Sequence, residues 1–341
     1  MRAVVCRGFE REDQVAVETV EPPVMIADGV RIKVMSSGVS FANLLALKGR
    51  HQNRATPPFT PGTEIAGIVI ECDADAVGFN PGFKPGDRVM AGLRSGGFAE
   101  QVVVTTRTVF SLPAEVDFDA AVQFPTIYAT AYGALKWRAR LGEGETLLVH
   151  GAAGGSGLAA VEIGKVLGAR VIATAGSAEK LAVAREHGAN ITLNYREQGF
   201  REAVLEATGG RGADVIFDPV GGAVFDESLR CIAPEGRIIP MGFAGGDIPQ
   251  IPANILLVKN ITVIGFYWGY YVGWGRIAAS PGVAAQVRAA FDEMLDWVRL
   301  GKLRPLTHRR FALEEFRQAL AMISAREVIG KVVLHPASVG S

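Results

Sequence analysis

The stretch VHGAAGGSGLAA, residues 149–160, decides how the middle of the chain folds. The apolar run TLLVH leads into it, and SGLAAVEIGKVLG, with helical spacing, leads out. A glycine-rich turn between a strand and a helix suits phosphate, because the helix N-terminus offers unpaired N–H groups and a partial positive charge. In the usual G-x-G-x-x-G spacing one glycine allows the tight turn, one lets backbone approach a pyrophosphate, and one lets helix pack on strand. Here the frame reads Ala152-Ala153-Gly154-Gly155-Ser156-Gly157, so the first glycine is an alanine. A methyl group is tolerated there if the turn shifts slightly. The expectation is a dinucleotide site that includes Ala153, Gly154, Gly155, Ser156 and Gly157.

The same rhythm extends outward. RVIATAG precedes SAEKLAVAREHG, NITLNY precedes REQGFREAVLEATGG, ADVIFDPV precedes AVFDESLRCI, and GRIIPMG follows. Short apolar runs alternating with helical patterns predict βαβ units and a parallel sheet with helices on both faces. The second strand bears on the choice of dinucleotide. An NAD site usually ends this strand in Asp or Glu, to hold the ribose 2′-hydroxyl. Here it ends in Ala175-Gly176-Ser177, with Lys180 one turn into the next helix and Tyr195 and Arg196 after the third strand. Small residues, a hydroxyl and cations accept a 2′-phosphate that a carboxylate would repel. NADPH is the expected cofactor. Glu179 counts against this unless the helix points it away.

The part before residue 120 reads as β-rich: RIKVMSSGVS and TEIAGIVIEC as strands, FKPGDRVMA and GGFAEQVVV as short strands between Gly/Pro/Asp turns. In the tail, Val283, Val287, Phe291, Met294, Leu295 and Val298 form an apolar stripe with helical spacing. LEEFRQALAMI predicts a second helix, and KVVLH a closing strand. This order suggests a middle domain nested inside a first domain that the tail rejoins.

The totals bound the function. The 341 residues carry equal numbers of acidic and basic side chains, with 49% hydrophobic and 21% charged residues. That describes a globular chain with no electrostatic footprint for nucleic acid or an acidic membrane. The charged start, MRAVVCRGFEREDQ, has no secretory h-region, and ITVIGFYWGYYVGWG is too short and glycine-broken to span a bilayer. Cys6, Cys72 and Cys231 are far apart and odd in number, which suits neither disulfides nor a metal cluster. A cytoplasmic protein with ordinary thiols is expected.

Seven motifs occur in order across most of the chain: GVSFANLLALKG, PFTPGTEIAGIV, FKPGDRV, GGFAEQVVV, TAYGAL, VHGAAGGSGLAA and FDPVGG. With these motifs the chain resembles the zinc-independent quinone oxidoreductases of the medium-chain dehydrogenase/reductase superfamily, a branch in which A-x-G-x-x-G is itself usual. The resemblance implies an α/β fold: a GroES-like β-rich catalytic domain, residues 1–123 and 270–341, around a Rossmann doubly wound parallel-sheet domain, residues 124–269. Zinc-dependent relatives hold the metal with Cys, His and Cys, and the matching positions here are Ser40, Thr63 and Thr126. Hydroxyls are poor zinc ligands, and Glu64 alone cannot hold the metal. The resemblance therefore implies no metal and a conjugated acceptor, a quinone or an α,β-unsaturated carbonyl, reduced by hydride from NADPH.

By the same resemblance Ser40, Thr63, Thr126 and Thr130 surround the nicotinamide and the pocket. Gly242, Phe243, Phe266, Tyr267, Trp268 and Lys331 complete the cofactor contacts. The aromatic run from Gly265 could also wall a flat acceptor. Members often carry Asn where Ser40 stands, Asp where Asn43 stands and, in some, Tyr where Leu45 stands, so a tyrosine role does not transfer. His51 lies near the place where related enoyl-thioester reductases have a tyrosine proton donor, and an imidazole can donate a proton near neutral pH. Two other readings stay open: reduction of a 2-enoyl thioester, for which Arg50, Arg54 and Arg276 would meet coenzyme A phosphates, and an NADPH-binding structural or sensor protein with little turnover. The resemblance further implies a homodimer through an edge strand at residues 261–266.

Overall fold

The computed structural model describes residues 1–9, 12–51, 54–73, 82–197 and 199–336. The chain divides into two compact units. The first is Met1–Thr126 with Gly269–Leu295 and Pro305–Ser341, and the second is Ile127–Trp268 with Asp296–Arg304.

The first unit opens with the hairpin β1 (Arg2–Cys6) and β2 (Val15–Thr19), paired antiparallel. There follow β3 (Gly29–Val39), β4 (Glu64–Cys72), β5 (Arg88–Gly92), β6 (Gln101–Thr105) and β7 (Val109–Ser111). In β3 the period-2 pattern is plain: Val30, Ile32 and Val34 are buried, while Arg31 and Lys33 point away. They pack with Ile65, Val89, Val102 and Val109 in one core cluster.

The second unit is a sheet of β8 (Thr146–Val149), β9 (Arg170–Ala175), β10 (Ile191–Asn194), β11 (Ala213–Asp218), β12 (Ile232–Pro240) and β13 (Thr262–Val263). Its order is β10-β9-β8-β11-β12-β13, with every pair parallel. All residues of β8 and β11 are buried, the unbroken apolar pattern of strands covered on both faces. The order reverses between β8 and β11, and the crevice beyond the carboxyl ends of such a pair is where open α/β sheets bind ligands.

Two boundaries differ from the sequence reading. β12 begins at Ile232, ahead of GRIIPMG, and passes through a left-handed Glu235 (φ 61°) and a register shift against β11. The edge strand expected at 261–266 covers only Thr262–Val263. Ile264 N still donates to Ile238 O at 2.9 Å, but pairing stops at Gly265, which has no side chain to pack.

After the second unit the chain returns to add β14 (Thr307–Ala312) and β15 (Lys331–His335) to the first. The first unit's sheet then runs β14-β15-β3-β4-β5-β7, with β6 also on β3. The tail stripe makes the helix Val283–Arg299, in which Val287, Phe291, Met294 and Leu295 are buried. The Phe291 ring stacks on Phe110 at 3.6 Å between centroids. Asp296–Arg304 goes with the second unit instead, where Trp297 lies 5.7 Å from Tyr132 and Arg304 N donates to Glu162 at 3.1 Å. Among the described residues no helix is long and apolar enough to cross a membrane.

Candidate functional site

The candidate nucleotide site belongs to the second unit. The helix Gly155–Val166 starts at Gly154, so the first-turn N–H groups of Gly155, Ser156 and Gly157 have no partner within the helix. A Cβ on Gly157 would lie 2.2 Å from Gly151 O and 2.8 Å from Ala152 Cα, so helix and strand can meet this closely only with glycine there. The turn itself is made one residue earlier than the motif spacing implied. Gly151 takes the left-handed conformation (φ 57°), while Ala152 is fully buried and donates to Thr174 O at 3.0 Å. That is how the chain does without the motif's first glycine.

At the end of β9 the expected cluster is assembled. A Cβ on Gly176 would meet Tyr195 Oη at 2.7 Å and Arg196 Nε at 3.0 Å, so phenol and guanidinium both lie over this glycine. Ser177 caps the next helix, its Oγ accepting from Lys180 N at 3.4 Å. Glu179 is exposed on the first turn. Across the crevice mouth, Pro219 O accepts from Ala244 N, and a Cβ on Gly221 would lie 3.1 Å from Phe243 Cδ1, which puts Gly242 and Phe243 beside the β11 turn. Asp218 organises that turn, and sequence reasoning did not single it out. Its Oδ1 accepts from Val220 N at 2.8 Å and Gly221 N at 3.0 Å, and burial raises its carboxyl pKa. The motif FDPVGG was the available signal. Beneath the loop, His150 bridges Thr174 Oγ1 (3.0 Å) and Ser228 Oγ (2.9 Å). Ser228 donates to Val224 O, so Nε2 carries the imidazole proton, and burial pulls the His150 pKa down to about 3.

The aromatic residues differ in what they touch. Phe266 lies against Gly133 in the helical run that also holds Thr130, Tyr267 is exposed, and Trp268 is buried with its ring stacked toward Trp137 at 6.3 Å.

The first unit holds a cluster of its own. Glu64 opens β4 and Lys331 opens β15. Both are buried, and Lys331 Nζ donates to Glu64 Oε1. A Cβ on Gly38 would meet Glu64 Oε1 at 2.5 Å and Lys331 Cε at 2.7 Å, so glycine on β3 makes room for this pair. Ser40 follows Gly38 by two residues, and Thr63 directly precedes Glu64 in the chain. Ser40 N and Oγ donate to Asn43 Oδ1 at 2.7 and 3.0 Å. Thr126 Oγ1 is buried without a hydrogen bond. His51 is half-buried, and the two residues after it lie outside the described ones. Lys331 had been expected to contact the cofactor. Its partner in this structure is Glu64, 267 residues away in sequence, a pairing no local pattern announces.

As a zinc site this donor set does not fit: three hydroxyls, with the neighbouring carboxylate already held by an ammonium. Among the described residues no group of three or more His, Cys, Asp or Glu side chains could hold a metal. The glycine cradle of the second unit does fit a dinucleotide diphosphate, with the backbone N–H groups of the first helical turn as its donors.

Residues 27–114 match the family model for the alcohol dehydrogenase GroES-like domain, and residues 155–281 match that for zinc-binding dehydrogenase. The chain is 39% identical to the quinone oxidoreductase-like protein 2 homolog of Nematostella vectensis, over 98% of this chain and 88% of that protein. Among solved structures it is similar to a probable oxidoreductase from Mycobacterium abscessus (35% identity, TM-score 0.86, 98% of this chain and 99% of that one). It is also similar to mycobacterial Rv1454c complexed with NADPH (25% identity, TM-score 0.89, 98% and 100% covered). The chain belongs to the quinone oxidoreductase branch of the medium-chain dehydrogenase/reductase superfamily and is an oxidoreductase of that kind.

Proposed function

We propose that the chain is an NADPH-dependent, zinc-free reductase of quinones and α,β-unsaturated carbonyls. The observation that carries this reading is the end of β9, where Gly176 lies under Tyr195 and Arg196, no carboxylate ends the strand, and Glu179 is exposed on the following helix. The NADPH complex of a relative that matches nearly the whole chain supports the same cofactor.

Bound NADPH supplies a hydride from its nicotinamide ring. The residues of this chain bind, orient and exclude water. The first turn of the helix Gly155–Val166 holds the diphosphate, and Arg196, with Lys180 behind the Ser177 cap, balances the 2′-phosphate. The hydroxyls of Thr63 and Thr126 hydrogen-bond the acceptor oxygen as negative charge develops on it, the part a metal plays in zinc-dependent relatives, and Ser40 joins them only by giving up its bond to Asn43 Oδ1. A conjugated acceptor needs no stronger electrophile, because the charge spreads over its π-system. A hydroquinone anion takes its proton from water. An enolate is protonated more slowly, and His51 is the candidate donor.

The edge strand β13 and the helix Ala253–Lys259, which buries none of its residues and leaves Leu257 and Val258 exposed, are the surface we assign to a homodimer interface. A sedimentation mass of one chain would exclude it.

The test is NADPH oxidation by chelator-treated protein with 1,4-naphthoquinone, a small open-chain enone and crotonyl-coenzyme A. Turnover of the first two at undiminished rate is expected. Turnover of the thioester alone would move the assignment to enoyl-thioester reduction, and activity lost with stoichiometric zinc would overturn the metal-free reading. If His51 is the donor, His51→Phe slows the enone by about 10²-fold and leaves NADPH binding unchanged.

A further inference from the structure

Most aromatic side chains of the run from Gly265 pack on their own surroundings. Phe266 lies on Gly133, Trp268 stacks toward Trp137, and Tyr270 meets Tyr271 edge-on at 5.3 Å between centroids. Trp274 is different. A Cβ on Gly92 would meet Trp274 Cη2 at 3.4 Å, Cζ2 at 3.6 Å and Pro125 Cβ at 3.7 Å. The benzo edge of this indole therefore covers bare backbone on β5, and Gly92 beneath it is buried.

The place is informative. Gly92 pairs with Glu64 across β4 and β5, and Leu93 N donates to Thr63 O at 2.8 Å. Pro125 directly precedes Thr126, whose Oγ1 is buried with its hydrogen bond unmade. A buried hydroxyl without an acceptor is costly, and a ligand carbonyl would relieve that cost. Trp274 is only half-buried, so part of its ring stays open. Within one unit, then, a wide aromatic plane, a glycine that gives it room and an unsatisfied hydroxyl stand beside the strand that carries Thr63 and Glu64.

We propose that Trp274 is a specificity-determining residue that selects flat, ring-bearing acceptors over open-chain ones. This rests on the reading of the chain as an NADPH-dependent reductase. A planar acceptor stacks on the indole and gains contact that a flexible enone of the same reactivity does not make. Thr126 supplies the hydrogen bond to one ring carbonyl, which fixes the ring in its plane.

The experiment compares kcat/KM for 1,4-naphthoquinone and for 3-penten-2-one at saturating NADPH in the parent, Trp274→Leu and Trp274→Phe. Trp274→Leu is expected to lower the naphthoquinone value about tenfold and to change the pentenone value less than twofold. Trp274→Phe keeps a flat ring and should restore most of the preference. NADPH affinity and the thermal unfolding midpoint, measured on the same samples, should match the parent and so report that the variants fold. An equal fall on both acceptors, or no change on either, overturns the proposal. Loss of folding in Trp274→Leu leaves the ratio in Trp274→Phe to decide, and a preference below one third of the parent's in that folded variant also overturns it. A parent with no turnover on any acceptor overturns the functional reading itself and the inference with it, whereas an active parent whose ratio survives Trp274→Leu overturns the inference alone.

Discussion

Two buried polar clusters, one under the nucleotide loop of the second unit and one around Glu64 in the first, are built in opposite ways. Beneath the nucleotide loop, the second unit buries a neutral network: His150 between Thr174 and Ser228, every bond made and no charge present. Beside Ser40 and Thr63, the first unit buries charge: Lys331 on Glu64, and further along the sheet Asp119 with His335 at 2.8 Å and with Arg310. A dinucleotide diphosphate brings its own charge and needs only backbone donors above a neutral floor. Under the proposed reaction the acceptor carries a charge only during turnover, and a fixed ion pair supplies a local field without a net charge. The two designs also fail differently. A neutral network loses what its bonds contribute, but an ion pair that loses one partner leaves a buried charge behind.

That asymmetry gives the largest expected effect. Lys331→Met strands Glu64 and should lower unfolding stability by about 3–5 kcal/mol in urea titrations. Adding Glu64→Gln to it should recover most of the loss. A single variant as stable as the parent would mean that the pair is not buried in solution, and the contrast between the units would fall.

Gly157→Ala attacks the nucleotide half. Its new Cβ would stand 2.2 Å from a backbone oxygen, so helix and strand must part. The expected loss is about 1–3 kcal/mol of stability, the usual range for overpacking. NADPH affinity, read by fluorescence titration, should fall in the same variant. Unchanged affinity would remove the helix from the diphosphate site.

The effect that is smallest at neutral pH is a slope that appears only in acid. In the folded chain burial pulls His150 down to about 3, against 6.5 for the free imidazole. Between those values the unfolded chain holds the extra proton, so stability rises with pH across that window, by up to about 1.4 kcal/mol per pH unit, and this contribution is complete above 6.5. For Asp119 burial opposes ionisation, but the hydrogen bonds from His335 and Arg310 outweigh it and lower its pKa to about 2 from 3.8. Its contribution is full above 3.8 and is lost as pH falls toward 2. His150→Asn should flatten the stability curve between pH 3 and 6.5, and Asp119→Asn only below pH 4, as measured by denaturation at stepped pH. Flattening over the same pH range in both variants, with no effect of His150→Asn between pH 4 and 6.5, would mean that the two buried groups do not differ as the structure has them.

Local pattern determined much of this protein. The alternation of short apolar runs with helical stripes is enough for a parallel sheet, because each element's period shows how many of its faces are covered. The run GAAGGSG between strand and helix, and the missing acid after Ala175, point to a phosphate cradle and to its cofactor, because those features act within a few residues of one another. Tertiary structure decided the rest. Gly151 rather than residue 152 makes the turn, because the bond from Ala152 N to Thr174 O holds the next residue in line with β9. The edge strand covers only two residues, a length that its apolar run does not announce. Lys331 meets Glu64, and Trp274 covers Gly92, across gaps of 267 and 182 residues, and periodicity can say which face a residue occupies but not which distant side chain it will find there.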